Sequence, residues 1–209
     1  MNPLKEMKSK TFLFGASGHG KVIVDIASSI GVDVNAFIDN DVQKNECYGL
    51  PVLNTVPEND GNFIISIGNN EVRKKIAETI RNKNFIVLAH SKTVISPSVK
   101  INNGTVVMAG VVINAETIIG KHCIINTNAS IDHECYIEDF VHISPNAALA
   151  GNIVVGEGSH IGIGASIIQG INIGKWCTIG AGAVIIKDVP DYSVIVGNPG
   201  RIIKKNKIK

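Results

Sequence analysis

The sequence lacks any apolar run long enough to serve as a secretory leader or a membrane span. Met1–Lys10 is polar, and the apolar stretch after it is broken by His19, Lys21 and Asp25. A cytoplasmic protein without a membrane partner is the expectation. It also lacks a large charge of either sign, with 20 Lys and Arg against 18 Asp and Glu for a net +2. Five basic residues (Arg201, Lys204, Lys205, Lys207 and Lys209) crowd the tail with no acid among them, so +2 less five leaves −3 on the rest of the chain. No basic stripe remains on the body, so nucleic acid is not an expected partner. The tail reads either as a solvated, frayed end or as an attraction for an anionic ligand. Cysteines are few, and Cys47, outside the repeat described below, has no partner at metal-ligand spacing. With 44% hydrophobic and 18% charged residues, a disordered chain is excluded as well.

What is present is a period of six. Stepping by six from Ile95 gives Ile101, Val107, Ile113, Ile119, Ile125, Ile131, Ile137, Ile143, Leu149, Val155, Ile161, Ile167, Ile173, Ile179 and Ile185. Every step lands on an aliphatic residue, with no insertion. Four residues after each stands a small or aliphatic one, from Val99 to Val189. A helix repeats near 3.6 and a strand at 2, so a strict six fits neither and marks a β-helix. Three hexads make one triangular turn, and sixteen give a little over five turns. Turns are expected to stack at about 4.8 Å. Gly120, Gly156, Gly162, Gly174 and Gly180 follow corner aliphatics, where a positive φ is expected. Cys123, Cys135 and Cys177 fall in the small inward slot, as inert apolar fillers. The flat faces of such a prism invite side-by-side association.

The first ninety residues follow a different grammar. Strands are expected at Thr11–Phe14, Val34–Ile38, Phe63–Ile67 and Phe85–Leu88. Between them lie a helix with Val22, Ile23, Ile26, Ala27 and Ile30 inward and another with Val72, Ile76, Ala77 and Ile80 inward. This is a small parallel, Rossmann-like α/β domain. The organisation is therefore an α/β domain over 1–90, a β-helix over 91–200 and a basic tail over 201–209. The turn Gly15-Ala16-Ser17-Gly18-His19-Gly20 joins a strand to a helix N-terminus, a ready phosphate site. Its spacing is G-x-x-G-x-G and not the dinucleotide fingerprint. Asp39 stands where such domains hold a ribose hydroxyl. Alternatively, the glycines merely make a tight turn and Asp39 caps one.

Within the repeat, Asn126 to Glu134 is the segment richest in polar side chains. His133 falls two places after a corner residue and points outward. Beside Asp132 and Glu134 it is either a general base or a solvated surface histidine. His142 and His160, eighteen residues apart, should stack on one face about 4.8 Å from each other. Stacked histidines raise the question of a metal, but no H-x-x-x-x-H pair occurs and three ligands would come from mismatched slots, so none is expected.

These residues resemble the PglD-type hexapeptide-repeat acetyltransferases, which modify nucleotide-linked amino sugars. The resemblance rests on Gly15–Gly20, on Ile67-Gly68-Asn69-Asn70-Glu71-Val72-Arg73-Lys74-Lys75-Ile76, on Asn126-Thr127 with Ile131-Asp132-His133-Glu134, on Ala150-Gly151-Asn152 and on Gly197-Asn198-Pro199. It implies a left-handed coil and an acetyl-CoA-dependent N-acetyltransferase acting on the 4-amino group of a UDP-linked 4-amino-4,6-dideoxy sugar. The N-terminal domain would hold the nucleotide sugar through Gly15, Ser17, Gly18, His19, Gly20, Asp39, Gly68, Asn69 and Asn70. His133 would be the base and Glu134 its support, with Asp132 an alternative support. Asn126 and His142 would line the acetyl end of CoA, and the Gly151 amide would face the oxyanion. Gly162, Ile163, Gly164, Gly180, Ala181, Gly182 and Pro199 would border the rest of CoA, and the basic tail could touch it. Such enzymes are homotrimers with CoA between subunits. GDP-perosamine N-acetylation and sialic acid O-acetylation are the near alternatives. A metal-dependent enzyme like the γ-type carbonic anhydrases, or a non-catalytic sugar-nucleotide scaffold, is a distant one.

Overall fold

The computed structural model describes residues 9–58 and 61–206. Met1–Lys8 and the tail residues 207–209, on which the leader and part of the tail readings rest, lie outside the described residues. The N-terminal domain runs β1 (Thr11–Phe14), α1 (Gly18–Ser29), β2 (Val34–Ile38), β3 (Glu46–Cys47), β4 (Leu50–Leu53), β5 (Asn62–Ile65), α2 (Asn70–Thr79) and β6 (Asn84–Phe85). The sheet order is β3-β4-β2-β1-β5-β6, and every pairing from β4 to β6 is parallel. The chain leaves β1 toward β2 on one side and reaches β5 on the other. The two turns expected to hold the sugar nucleotide, Gly15–Gly20 and Gly68–Asn70, therefore flank the switch point of the sheet. Ser66 ties the two strand ends together by donating to the carbonyls of Phe14 (3.0 Å) and Gly15 (2.7 Å).

Several local expectations shift. The predicted strand Phe85–Leu88 divides: Asn84–Phe85 ends the N-terminal sheet, and Leu88–Ala89 opens the solenoid, six residues before Ile95. The hairpin β3–β4 was not read from the sequence. On the helices, Val22, Ile30 and Val72 are 41%, 41% and 42% exposed and do not face inward. Arg73 takes the buried position beside Val72.

The solenoid has three faces of two-residue strands. Face one carries Leu88–Ala89, Val106–Val107, Ile124–Ile125, His142–Ile143, His160–Ile161 and Thr178–Ile179, then Ser193–Val196. Face two runs from Val94–Ile95 to Val184–Ile185, and face three from Lys100–Ile101 to Asn172–Ile173. Rungs pair in parallel eighteen residues apart, as in Val106↔Ile124, Val112↔Ser130 and Ile118↔Tyr136. The last turn is shorter, with Thr178 opposite Val194. Corner aliphatics and small residues together form one continuous core, with Cys123, Cys135 and Cys177 buried in it. Burial pushes the Cys123 thiol up to about 12, which removes it as a nucleophile.

The corner turns correct the glycine expectation. Gly120, Gly156, Gly162, Gly174 and Gly180 do not have positive φ. The left-handed residue is two places further on, at Gly110, Glu116, His122, Asn128, Glu134, Phe140, Asn146, Asn152, Gly158 and onward. Glycine at the earlier position answers crowding instead: a Cβ on Gly162 would lie 2.5 Å from the carbonyl oxygen of Ile179 on the next rung. The tail is also corrected in part. Arg201–Lys205 is an exposed strand paired antiparallel with Ser193–Val196, not a frayed end.

The N-terminal domain sits on face one. Ile23, Ile26 and Ala27 of α1 share an apolar cluster with Leu88, Val106, Met108 and Ile124. Burying each such aliphatic side chain contributes roughly 1.5–3 kcal/mol, enough to fix the domain there. No helix among the described residues is long and apolar enough to cross a membrane.

Candidate active site

Two groups of polar residues stand on different parts of the prism. The first lies on the edge between faces two and three. His133 Nδ1 is 2.9 Å from Glu134 Oε2, and the His133 side chain is 55% exposed. A carboxylate only accepts, so this contact puts the proton on Nδ1 and leaves the Nε2 lone pair outward as a base. Asp132 is engaged elsewhere: its Oδ1 accepts from the His133 N–H and from the Asn114 amide, both at 2.8 Å. One rung below the His133 ring is Gly151, where a Cβ would meet Nε2 at 2.6 Å. At the matching turn position, the N–H groups of Lys121, Thr127, His133, Glu157 and Lys175 all donate to side-chain oxygens. The Gly151 N–H, like those of Ala115, Asp139, Ile163 and Ala181 at the same position, has no protein acceptor among the described residues. An open amide thus lies directly under the imidazole.

The second group lies on face one, beneath the N-terminal domain. His142 and His160 stack with centroids 4.7 Å apart and 11° between planes, as the eighteen-residue spacing requires. The Asn126 amide nitrogen is 3.1 Å from His142 Nε2, and Ser144 Oγ is 2.8 Å from His160 Nε2. Burial, with the neighbouring His160 and Arg73, lowers His142 to about 3, so it is a neutral imidazole at physiological pH. His19, from the first turn of α1, is held down to about 4 by burial and then by Arg73. His19 Nε2, His122 Nδ1 in the domain seam and His142 Nδ1 are buried without a well-formed hydrogen bond, the last lying against the Gly68 backbone. Among the described residues no three His, Cys, Asp or Glu side chains are gathered as a metal site.

Other expected site residues divide between open floor and internal duty. Gly164 and Gly182 have φ of +64° and +65° with open space where a Cβ would be. With Ile163, which is 57% exposed, they form an uncluttered strip along the edge between faces one and two. In the glycine turn, Gly15 adopts φ +118°, and a Cβ on Gly20 would meet the Phe37 ring at 2.6 Å. Both are therefore required by the turn itself. Asp39 caps that turn, its Oδ2 accepting from the Ala16 N–H and from Lys44 Nζ, both at 2.9 Å. Ser17 makes no side-chain cap, and Gly18 has no neighbour at its Cβ position. Asn69 caps α2 by accepting from the Val72 N–H at 3.0 Å. Asn70 is buried and donates to the carbonyl of Gly158 at 2.9 Å, so it joins the domains while also lining the cleft between α2 and the solenoid.

Sequence reasoning missed Arg73, Ser144 and the cleft of about 550 Å³ between α2 and the solenoid, lined by Gly68, Asn69, His160, Trp176 and Tyr192. Arg73 was legible in principle, because it lies three residues after Asn70 and four before the inward Ala77.

Comparison with known proteins gives consistent matches. The PglD N-terminal domain family matches residues 10–80. A perosamine N-acetyltransferase from Caulobacter crescentus, solved with CoA and GDP-perosamine, is 32% identical with a TM-score of 0.89, covering 95% of this chain and 98% of that one. The acetyltransferase domain of PglB from Neisseria gonorrhoeae FA1090 is 36% identical with a TM-score of 0.87, covering 93% of this chain and 100% of that one. The same domain has also been solved with acetyl coenzyme A. The UDP-N-acetylbacillosamine N-acetyltransferase of Bacillus subtilis is 41% identical over 107 residues, 45% of this chain and 49% of that protein. The matched stretches thus span half or less of the curated relatives' lengths.

Proposed function

The chain belongs to the PglD-type hexapeptide-repeat sugar N-acetyltransferases, and on that premise we propose that it moves the acetyl group of acetyl-CoA to the 4-amino group of a UDP-linked 4-amino-4,6-dideoxy sugar. The observation that carries the reading is the His133–Glu134 pair poised over the open Gly151 amide. The sugar amine, once neutral, attacks the thioester carbonyl while His133 Nε2 accepts the proton it sheds. Glu134 stabilises the resulting imidazolium through Nδ1–H. The Gly151 N–H donates to the tetrahedral oxyanion, a contact worth roughly 3 kcal/mol at the transition state. Collapse expels the CoA thiolate, which takes the proton back from His133. No covalent enzyme intermediate enters, in keeping with the buried thiols.

The two polar groups also support a cooperating second copy. The N-terminal domain covers face one beside His142, while His133 lies on the opposite edge of the same prism. A sugar held by one subunit therefore meets the base of its neighbour. We assign CoA to the groove between subunits, along Ile163–Gly164 and Ala181–Gly182, in a homotrimer closed through face two. Small or aliphatic outward residues there, Val94, Ser130, Ala148 and Ser166, are exposed and suit close approach.

The similarity to a protein solved with GDP-perosamine favours a second reading, GDP-perosamine as acceptor. Thiol release from acetyl-CoA decides between them. Purified protein is offered the UDP-linked 4-amino sugar, GDP-perosamine and CMP-sialic acid, as wild type and as His133→Ala. Release with the UDP sugar alone, lost by roughly 10²-fold or more in the variant, is expected. Release only with GDP-perosamine overturns the substrate, and activity retained in His133→Ala overturns the base.

A further inference from the structure

We infer that Arg73 is a positioning residue for the transfer reaction, locking the sugar-holding turn of the N-terminal domain to two consecutive rungs of the β-helix, with Asn70 reaching a third. This rests on the acetyl transfer proposed above. Arg73 is 1% exposed and heads the fully buried side chains by size. No carboxylate is among its hydrogen-bond partners. Its guanidinium donates to the Ile67 carbonyl at 2.9 Å and the Gly68 carbonyl at 3.2 Å, both in the turn between β5 and α2. It donates to Asn70 Oδ1 at 2.8 Å. Across the domain boundary it donates to the carbonyls of His122 and Phe140, both at 2.8 Å. Asn70 extends the same lock by donating to the Gly158 carbonyl.

His122, Phe140 and Gly158 are eighteen residues apart, the left-handed corner residues of successive turns, with φ of +53°, +60° and +68°. Elsewhere the solenoid's rung-to-rung bonds use the carbonyl one place earlier, as in Phe140 N–H to Lys121 and Gly158 N–H to Asp139. The corner carbonyls are thus left over, and Arg73 and Asn70 take them. A planar fork with five donors satisfies such a spread of acceptors, and a single ammonium does not. The His122 ring stacks on Phe140 at 5.2 Å and meets Phe85 edge-on at 4.5 Å, which keeps water from the cation. Burial lowers Arg73 only to about 10, so it stays charged at physiological pH.

The lock ends at the Gly68 turn, which lies against face one beside His160. It therefore sets where a sugar held at that turn stands relative to the acetyl end of the CoA groove. A shift of about 1 Å there is expected to lower turnover by roughly 10²-fold.

The test uses the full chain as Arg73→Lys and, as a milder loosening, Asn70→Ala. Expected is a kcat per folded enzyme lowered by roughly 10²-fold in Arg73→Lys and less in Asn70→Ala, with KM for acetyl-CoA within about twofold of wild type. Exchange of the Gly68–Glu71 amides with solvent should be faster in both variants. A lower melting temperature with kcat unchanged would reduce Arg73 to a structural role and overturn the inference. So would a rise in KM for acetyl-CoA that accounts for the whole loss. If Arg73→Lys does not fold, Asn70→Ala alone decides by the same two readings. If wild type acetylates no amino sugar, the transfer reading fails, and the lock is then judged by amide exchange, which unchanged protection would refute.

Discussion

Gly151 leaves no room for a side chain, since a Cβ there would press on the His133 ring at 2.6 Å. Gly151→Ala is expected to tilt the half-exposed imidazole away from the amide below it. Turnover should fall by roughly 10²-fold, the scale of losing one oxyanion donor, while the melting temperature barely moves. Unchanged kcat would remove Gly151 from the site. The neighbouring carboxylates separate in the same assay. Glu134 contacts Nδ1, so Glu134→Gln should lower kcat by roughly 10²-fold. Asp132 bonds only its own turn and Asn114, so Asp132→Asn should stay within about threefold, as for a change away from reacting atoms. The reverse order would make Asp132 the support. The outward direction of His133 was legible, because its phase in the six-residue period fixes it. Which acid it bonds was not, because both are one residue away and only side-chain geometry separates them.

From Gly104 to Gly182 each corner of the solenoid holds one residue in the left-handed region, and not all are glycine. Glu116 is exposed at φ +60°, and its N–H accepts no change of partner from losing the side chain, since it donates to Ser98 Oγ. Glu116→Gly should therefore stabilise the protein by about 1 kcal/mol, the strain that a Cβ adds there. Chemical denaturation checks this, and a loss of stability would show that the side chain holds the turn. The period of six was legible because every coil repeats the same local choice. The left-handed site within it was not, because Gly, Asn, Glu, His, Phe and Trp all occupy it. Nor was the seam between the domains, whose contacts join residues such as Arg73 and Phe140 from unrelated stretches.

That seam gives the whole molecule a pH dependence. His19 and His122 are each lowered to about 4 and His142 to about 3, chiefly by burial, and His160 is lowered as well. A histidine lowered in the folded state is neutral in both states above 6.5. As pH falls through 6.5 the unfolded chain takes a proton that the folded one refuses, so stability is lost down to the folded value. Each group takes up to about 1.4 kcal/mol per pH unit, less where solvent screens it. The melting temperature should thus decline steadily from pH 6.5 to 4.5, and a flat profile would contradict neutral burial of this cluster.

The edge that carries His133 and the face that carries His142 are opposite parts of one prism, and the proposed site therefore draws on two copies. Co-expression of differently tagged His133→Ala and His142→Ala chains tests this directly. Each variant alone is expected to be inactive. In mixed trimers, a junction is competent only when its His133 and its His142 both come from chains that retain them. With random assembly about one junction in four meets that condition, so about a quarter of wild-type activity should return. A site contained within one subunit would return none, because every chain lacks one of its two histidines. Placing arginine on face two, as Ala148→Arg, should abolish the recovery together with the trimer, read as a drop in sedimenting mass. In an otherwise unchanged chain, activity that survived in the Ala148→Arg monomers would assign both histidines to a single chain.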